Sequence, residues 1–127
     1  MRLNLLLAVA AGGALGSVAR YLVGIGAAKW LSPGFPWGTL IVNVLGSFLI
    51  GVLAEAFALK WDASQATRAF LIVGICGGFT TFSTFSLDFV VLADRNAMPA
   101  FLYALASVGL SIGGLYAGLQ LARTLLH

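Results

Sequence analysis

Four long apolar stretches, separated by short polar turns, dominate this chain of 127 residues. They run from about residue 3 to 30, 37 to 59, 66 to 92 and 98 to 126. Each is long enough to cross a bilayer as a helix, which takes about 20 residues. Only 9% of the residues are charged, against roughly 25% in soluble domains. The sequence therefore predicts an all-α integral membrane protein, with one four-span domain over residues 1–127 in contact with membrane lipid.

The third stretch is interrupted at its centre by a polar, glycine-containing run of ten residues. The run reads Gly77-Gly78-Phe79-Thr80-Thr81-Phe82-Ser83-Thr84-Phe85-Ser86. Each glycine weakens a helix by about 1 kcal/mol relative to alanine, and the hydroxyl residues after them are good caps for a new helix. We therefore expect the third helix to break here and then resume. Irregular backbone at membrane depth occurs where protein or a water-filled cavity satisfies it, and transporters place ions at such breaks.

Two polar stripes follow the second and fourth stretches. Their members are Thr39, Asn43 and Ser47 on the second, and Tyr103, Ser107 and Ser111 on the fourth. Because the members are four residues apart, each stripe lies on one helix face. Hydrogen bonds between helices would explain both stripes, at about 0.6 kcal/mol for each bond. A lined ion pathway is the alternative that the neighbouring break favours.

Two charged residues within the stretches have different expected positions. Arg20 lies inside the first span, where it either extends to the interface or attracts an anion in a water-filled vestibule. Glu55 comes late in the second span, and we expect it to reach the membrane interface.

Glycine pairs spaced four residues apart would let helices approach closely. They occur at Gly12/Gly16, Gly109/Gly113 and Gly114/Gly118. With sixteen glycines in the chain such pairs arise easily, so helix packing is the expected role of all three.

The basic residues give only a weak orientation signal. With the N-terminus inside, four of them lie inside, namely Arg2, Lys60, Arg68 and Arg123, while Lys29 and Arg95 lie outside. Orientation follows the excess of lysine and arginine, so a chain with this bias is able to insert both ways. That would allow an antiparallel homodimer. No basic stripe or RNA-binding motif is present, and we expect no nucleic acid partner.

The break contains groups suited to binding an anion and groups suited to binding a cation. Phe82 and Phe85 are three residues apart on the resumed helix and share a face. They are either ordinary core residues or ring edges, carrying partial positive charge, that surround a small anion. Free carbonyls at the end of one half-helix suit a hard cation such as Na⁺, and free amides at the start of the next suit an anion.

Three segments of the chain together resemble the Fluc (CrcB) family of fluoride channels over essentially its full length. They are GGALGSVARY at 12–21, PWGTLIVN at 36–43 with Gly46, and GICGGFTTFSTFS at 74–86. The resemblance implies a fluoride-selective channel of the cell inner (plasma) membrane that passively exports cytoplasmic fluoride. It also implies an antiparallel, dual-topology homodimer with two pores.

The resemblance further implies roles for individual residues. Gly77 and Thr80 of both subunits would hold a central structural Na⁺ with their backbone carbonyls. Phe82 and Phe85 would line the pore with ring edges, and Asn43 would orient or donate near them. The other residues assigned to the fluoride pathway are Ser83, Thr84, Tyr103, Ser107 and Ser111. Arg20 would match the vestibule arginine of the family.

Two other functions remain alternatives to a channel. One is a small proton-coupled exporter with four spans, which would need a membrane-embedded carboxylate in its first span; residues 3–30 contain no Asp or Glu. The other is a membrane assembly subunit that transports nothing and is held together by its glycine faces. We expect no enzymatic activity, because Cys76 has no nearby histidine and no carboxylate pair suggests acid–base chemistry.

Overall fold

Four helical segments make up residues 2–126, the part of the chain that the computed structural model describes; Met1 and His127 lie outside it. The segments are Leu3–Trp30, Trp37–Leu59, Gln65–Arg95 and Ala97–Leu126, and all four are long and apolar enough to cross a membrane. The prediction of an all-helical protein with four membrane-length segments is confirmed.

The first, second and fourth segments are single helices, whereas the third is composite. The single helices are α1 (Leu3–Trp30), α2 (Trp37–Leu59) and α6 (Ala97–Leu126). The third segment consists of α3 (Gln65–Arg68), a π-helix (Ala69–Cys76), α4 (Gly77–Phe79) and α5 (Ser83–Arg95).

Short connections set the order of the helices. Ser64 caps α3 by accepting a hydrogen bond from the Thr67 amide at 3.1 Å. Asn96 alone separates α5 from α6, and its Oδ1 accepts from the Met98 amide at 3.2 Å. Because the turns are so short, consecutive segments run antiparallel.

Helix α1 packs on the π-helix through glycines, so that the two backbones are in direct contact. A Cβ added at Gly12 would lie 2.9 Å from the Gly74 Cα, and one added at Gly74 would lie 2.8 Å from the Gly12 Cα. One turn further along, a Cβ at Gly78 would lie 2.7 Å from the Gly13 carbonyl oxygen. Any larger side chain at these glycines would push the two helices apart.

Helices α2 and α6 form a second close pair. A Cβ at Gly118 would clash with the Phe48 carbonyl and lie 2.9 Å from the Val52 amide nitrogen. By contrast, a Cβ at Gly109 or Gly113 would meet nothing within 4 Å. At about 100° per residue, Gly109 lies about 180° around α6 from Gly118, so it faces away from α2. The packing expected of the pair Gly109/Gly113 is therefore not made within the protomer.

This difference predicts opposite stability effects for two identical substitutions on α6. Gly118→Ala should destabilise the fold by about 1–3 kcal/mol, because the added methyl group overpacks the contact with α2. Gly109→Ala should stabilise α6 by up to about 1 kcal/mol through helix propensity. Thermal unfolding of the two detergent-solubilised variants measures both effects. Equal shifts in melting temperature would contradict the packing described for α6.

Glu55 of α2 is buried against α6. Only 9% of the residue is exposed. Its Oε2 accepts hydrogen bonds from Arg123 Nη2 at 2.7 Å and Arg123 Nε at 3.0 Å. That Glu55 reaches the membrane interface stays a prediction; the structure adds that the close approach of the two helices covers the carboxylate and supplies its partner.

Candidate functional site

The backbone between α4 and α5 leaves the helical path for three residues. Helix α4 ends at Phe79, and Thr80 is extended, with φ −89° and ψ 159°. Helical structure begins again at Ser83. The Thr80 side chain turns back, and its Oγ1 donates to the Cys76 carbonyl at 2.9 Å. A Cβ at Gly46 of α2 would clash with the Thr80 methyl group, so a glycine there makes room for this turn.

Asn43 of α2 holds the non-helical segment with both ends of its amide. Its Oδ1 accepts from the Thr81 amide at 2.7 Å. Its Nδ2 donates to the Thr81 carbonyl at 2.9 Å. Both polar backbone groups of Thr81 are therefore satisfied by one side chain from another helix, and the position of Thr81 is tied to α2.

Several carbonyls at the end of α4 lose their helical donors. In an unbroken helix the amides of residues 81–84 would donate to the carbonyls of residues 77–80. Here Thr81 N donates to Asn43, and Thr84 N donates to Thr81 Oγ1 at 3.2 Å. Arg20 Nε donates a hydrogen bond to the Gly78 carbonyl oxygen at 3.1 Å. Among residues 2–126, no donor reaches the carbonyls of residues 77, 79 and 80.

An open groove of about 340 Å³ lies beside this segment; we call it the phenylalanine groove. Its polar and aromatic lining comprises Asn43, Ser47, Thr80, Thr81, Phe82, Phe85, Ser107 and Ser111. The structure thus brings together five residues assigned to the pathway from the sequence: Asn43, Phe82, Phe85, Ser107 and Ser111. The rings of Phe82 and Phe85 are 5.5 Å apart, and 77% of Phe82 is exposed.

Ser107 has the one buried side-chain polar atom without a hydrogen-bond partner among residues 2–126. Only 6% of the residue is exposed, and it lines the phenylalanine groove. A buried hydroxyl without a partner costs about 1–3 kcal/mol. The amides of Phe82 and Ser83, at the start of α5, also donate to no group in the described chain. The groove and the adjoining start of α5 therefore present hydrogen-bond donors that nothing in residues 2–126 uses.

A second groove of about 390 Å³, the arginine groove, lies on another side of Thr81. Its polar lining consists of Arg20, Tyr21, Thr39, Thr81 and Thr84. Because Arg20 Nε donates a hydrogen bond to the Gly78 carbonyl, the guanidinium charge lies close to the interrupted helix. Thr81 lines both grooves and so forms part of the wall between them.

Two assigned pathway residues lie outside both grooves. Tyr103 is fully buried, and its ring centroid is 5.1 Å from that of Phe85. Ser83 is exposed, with its Oγ 3.4 Å from Thr81 Oγ1. Gly77 is also exposed on the protomer surface, whereas Thr80 is half-buried.

The reasoning from sequence missed Asp88, a carboxylate inside the third span. Its Oδ2 accepts hydrogen bonds from Thr39 Oγ1 at 2.7 Å and from Tyr103 OH at 3.2 Å. Asp88 thereby joins the second, third and fourth segments through one atom. An acidic residue within an apolar span is itself a functional signal, and it was available in the sequence.

The comparisons with known proteins agree with one another. The family model described as "CrcB-like protein, Camphor Resistance (CrcB)" matches residues 7–119. The chain is 61% identical over 126 residues to the fluoride-specific ion channel FluC of Nitrobacter winogradskyi, which covers 98% of this chain and 100% of the relative. It is 55% identical over 123 residues to the protein of that name in Rhodospirillum centenum, covering 96% of this chain and 98% of the relative.

Proposed function

The chain belongs to the CrcB family, and from this premise we propose that it is a fluoride-selective channel. It would lie in the cell inner (plasma) membrane as a multi-pass protein and let cytoplasmic fluoride leave passively. The relatives named as fluoride-specific channels support the ion and the transport function. The observation in the structure that supports a pathway is the phenylalanine groove, where the unpaired Ser107 hydroxyl lies beside two exposed or half-buried rings.

The groove provides the kind of groups that a fluoride ion needs. Fluoride is small and strongly hydrated, so a pore must replace its water with other donors. The Ser107 hydroxyl and the amides at the start of α5 are donors without partners, and the helix N-terminus favours negative charge. Ring edges of Phe82 and Phe85 carry partial positive charge. We propose that fluoride passes along these groups, with Ser111 further along the same groove.

We also propose a structural Na⁺ held by the carbonyls of Gly77 and Thr80. Both carbonyls are free of donors within residues 2–126, and neutral oxygens suit a hard cation. Phe79 also has a free carbonyl, but that residue is buried, whereas Gly77 and Thr80 lie nearer the surface. A bound Na⁺ would supply a fixed positive charge that lowers the cost of dehydrating an anion nearby.

We propose that the working unit is an antiparallel homodimer with dual topology. Two carbonyls are few oxygen ligands for a hard cation, and a second protomer would double them to four. Gly77 is exposed, so its carbonyl is available to a partner. The weak bias of four basic residues against two is compatible with insertion in both orientations.

Fluoride efflux from liposomes tests the proposed function. Vesicles loaded with potassium fluoride and carrying the purified protein should release fluoride when valinomycin removes the charge imbalance, with no proton gradient imposed. Vesicles loaded with potassium chloride should release little chloride in the same assay. Equal rates for the two halides would contradict selectivity.

The same assay separates the alternatives. Asp88 supplies the exporter hypothesis with a carboxylate inside a span, although it lies in the third span and residues 3–30 contain none. An exporter would release fluoride only when a proton gradient is applied, and replacing Asp88 with asparagine would abolish that coupling. An assembly subunit would release none under any gradient. Release without a proton gradient from both wild type and Asp88→Asn supports the channel.

A further inference from the structure

Thr81 occupies the point where the two half-helices and both grooves meet. Its hydroxyl accepts a hydrogen bond from the amide of Thr84, three residues further along the chain, at 3.2 Å. This is the spacing at which a capping hydroxyl takes an amide from the first turn of a helix. The Thr81 backbone is held separately, by the two hydrogen bonds to Asn43.

The Thr84 amide has two competing acceptors. If α5 extended backwards by one turn, this amide would donate to the Thr80 carbonyl, its normal helical partner four residues earlier. The Thr84 amide donates instead to the hydroxyl of Thr81, the residue before the N-cap Phe82. As a result, the Thr80 carbonyl has no donor within residues 2–126.

We propose that Thr81 is a positioning residue for the sodium site, because its hydroxyl keeps the Thr80 carbonyl free to bind the cation. This inference rests on the proposed function and deepens it. Asn43 likewise keeps the Gly77 carbonyl free. Its Oδ1 accepts the hydrogen bond of the Thr81 amide, which in an unbroken helix would donate to the Gly77 carbonyl. Two side chains thus leave the carbonyls of Gly77 and Thr80 free.

The test compares Thr81→Val, which lacks the hydroxyl, with Thr81→Ser, which retains it. The readout is the melting temperature of the detergent-solubilised protein as NaCl replaces N-methyl-D-glucamine chloride at constant ionic strength. A cation that binds only the folded state stabilises it by RT ln(1 + c/Kd), where c is the Na⁺ concentration, so the rise of the melting temperature with c gives the apparent Kd, here called the Na⁺ midpoint. For Thr81→Val, the Na⁺ midpoint should rise by about tenfold, because the Thr84 amide now competes with Na⁺ for the Thr80 carbonyl. Thr81→Ser should stay within about twofold of wild type.

Thr67→Val is the matched control, since the Thr67 hydroxyl pairs with Ser64 at 2.9 Å, far from the break. It should leave the Na⁺ midpoint unchanged. If Thr81→Val cannot be purified, Thr81→Ala removes the same hydroxyl and gives the same comparison. A wild-type midpoint in the variants without the hydroxyl would overturn the role of Thr81. A wild type that Na⁺ does not stabilise would overturn the sodium site as well, while fluoride efflux from liposomes would still test the channel separately.

Discussion

Replacing Asn43 with alanine is expected to reduce fluoride efflux by about 100-fold or more. The substitution leaves the amide and carbonyl of the half-buried Thr81 without partners, and a polar group left unsatisfied away from water costs about 1–3 kcal/mol. The segment between α4 and α5 would then rearrange to satisfy them. The simplest change is a helical hydrogen bond from the Thr81 amide to the Gly77 carbonyl. About 2.7 kcal/mol of lost positioning corresponds to a 100-fold change in rate. Efflux from liposomes, normalised to the amount of reconstituted protein, measures the loss.

Asn96→Ala is the matched control for this experiment. Asn96 also uses its side-chain oxygen to accept a backbone amide, that of Met98, but it lies in the turn before α6. Losing that cap should cost about 1 kcal/mol of stability and leave the efflux rate within about twofold. If Asn43→Ala conducts like Asn96→Ala, the hydrogen bonds to Thr81 do not determine the conducting structure.

The fold could be predicted from the sequence as far as bilayer thickness and hydropathy determine it. Four stretches of about 20 or more apolar residues leave little choice but four helices. The contacts between those helices were less predictable. Gly109/Gly113 and Gly114/Gly118 have identical spacing, yet only the second pair faces α2, because spacing alone does not fix the rotation of a helix. The partner of Glu55 was unpredictable for the same reason, since Arg123 lies 68 residues further along the chain.

The candidate site was partly visible in the sequence. The four-residue periodicity of Asn43 and Ser107 indicated their helix faces, and the structure places both in one groove. The hydrogen bonds that organise the groove could not be predicted, because Asn43 and Thr81 are 38 residues apart and no local pattern connects them. Asp88 was missed for a different reason. Its charge within an apolar span was evident, but the exporter hypothesis was judged on carboxylates of the first span alone.

The second large effect is expected from the aromatic rings. Phe82→Ile and Phe85→Ile keep apolar bulk in the phenylalanine groove but remove the ring edges that would face the anion. Each ring should contribute about 1.5 kcal/mol, so each single variant should conduct about tenfold more slowly. The double variant should lose about 100-fold if the rings act independently. Host fluoride tolerance and liposome efflux should fall together, because both report the same passage.

Phe101→Ile separates loss of ring chemistry from general damage to the protein. Phe101 is 57% exposed on α6 and lines neither groove. It should retain wild-type efflux, while gel filtration shows the same assembly for all four variants. The expected order of rates is Phe101→Ile equal to wild type, then the two single variants, then the double. Were Phe82→Ile and Phe85→Ile to conduct at the wild-type rate, apolar bulk alone would suffice and the anion would have to be surrounded by the hydroxyl and amide donors of Ser107 and the start of α5.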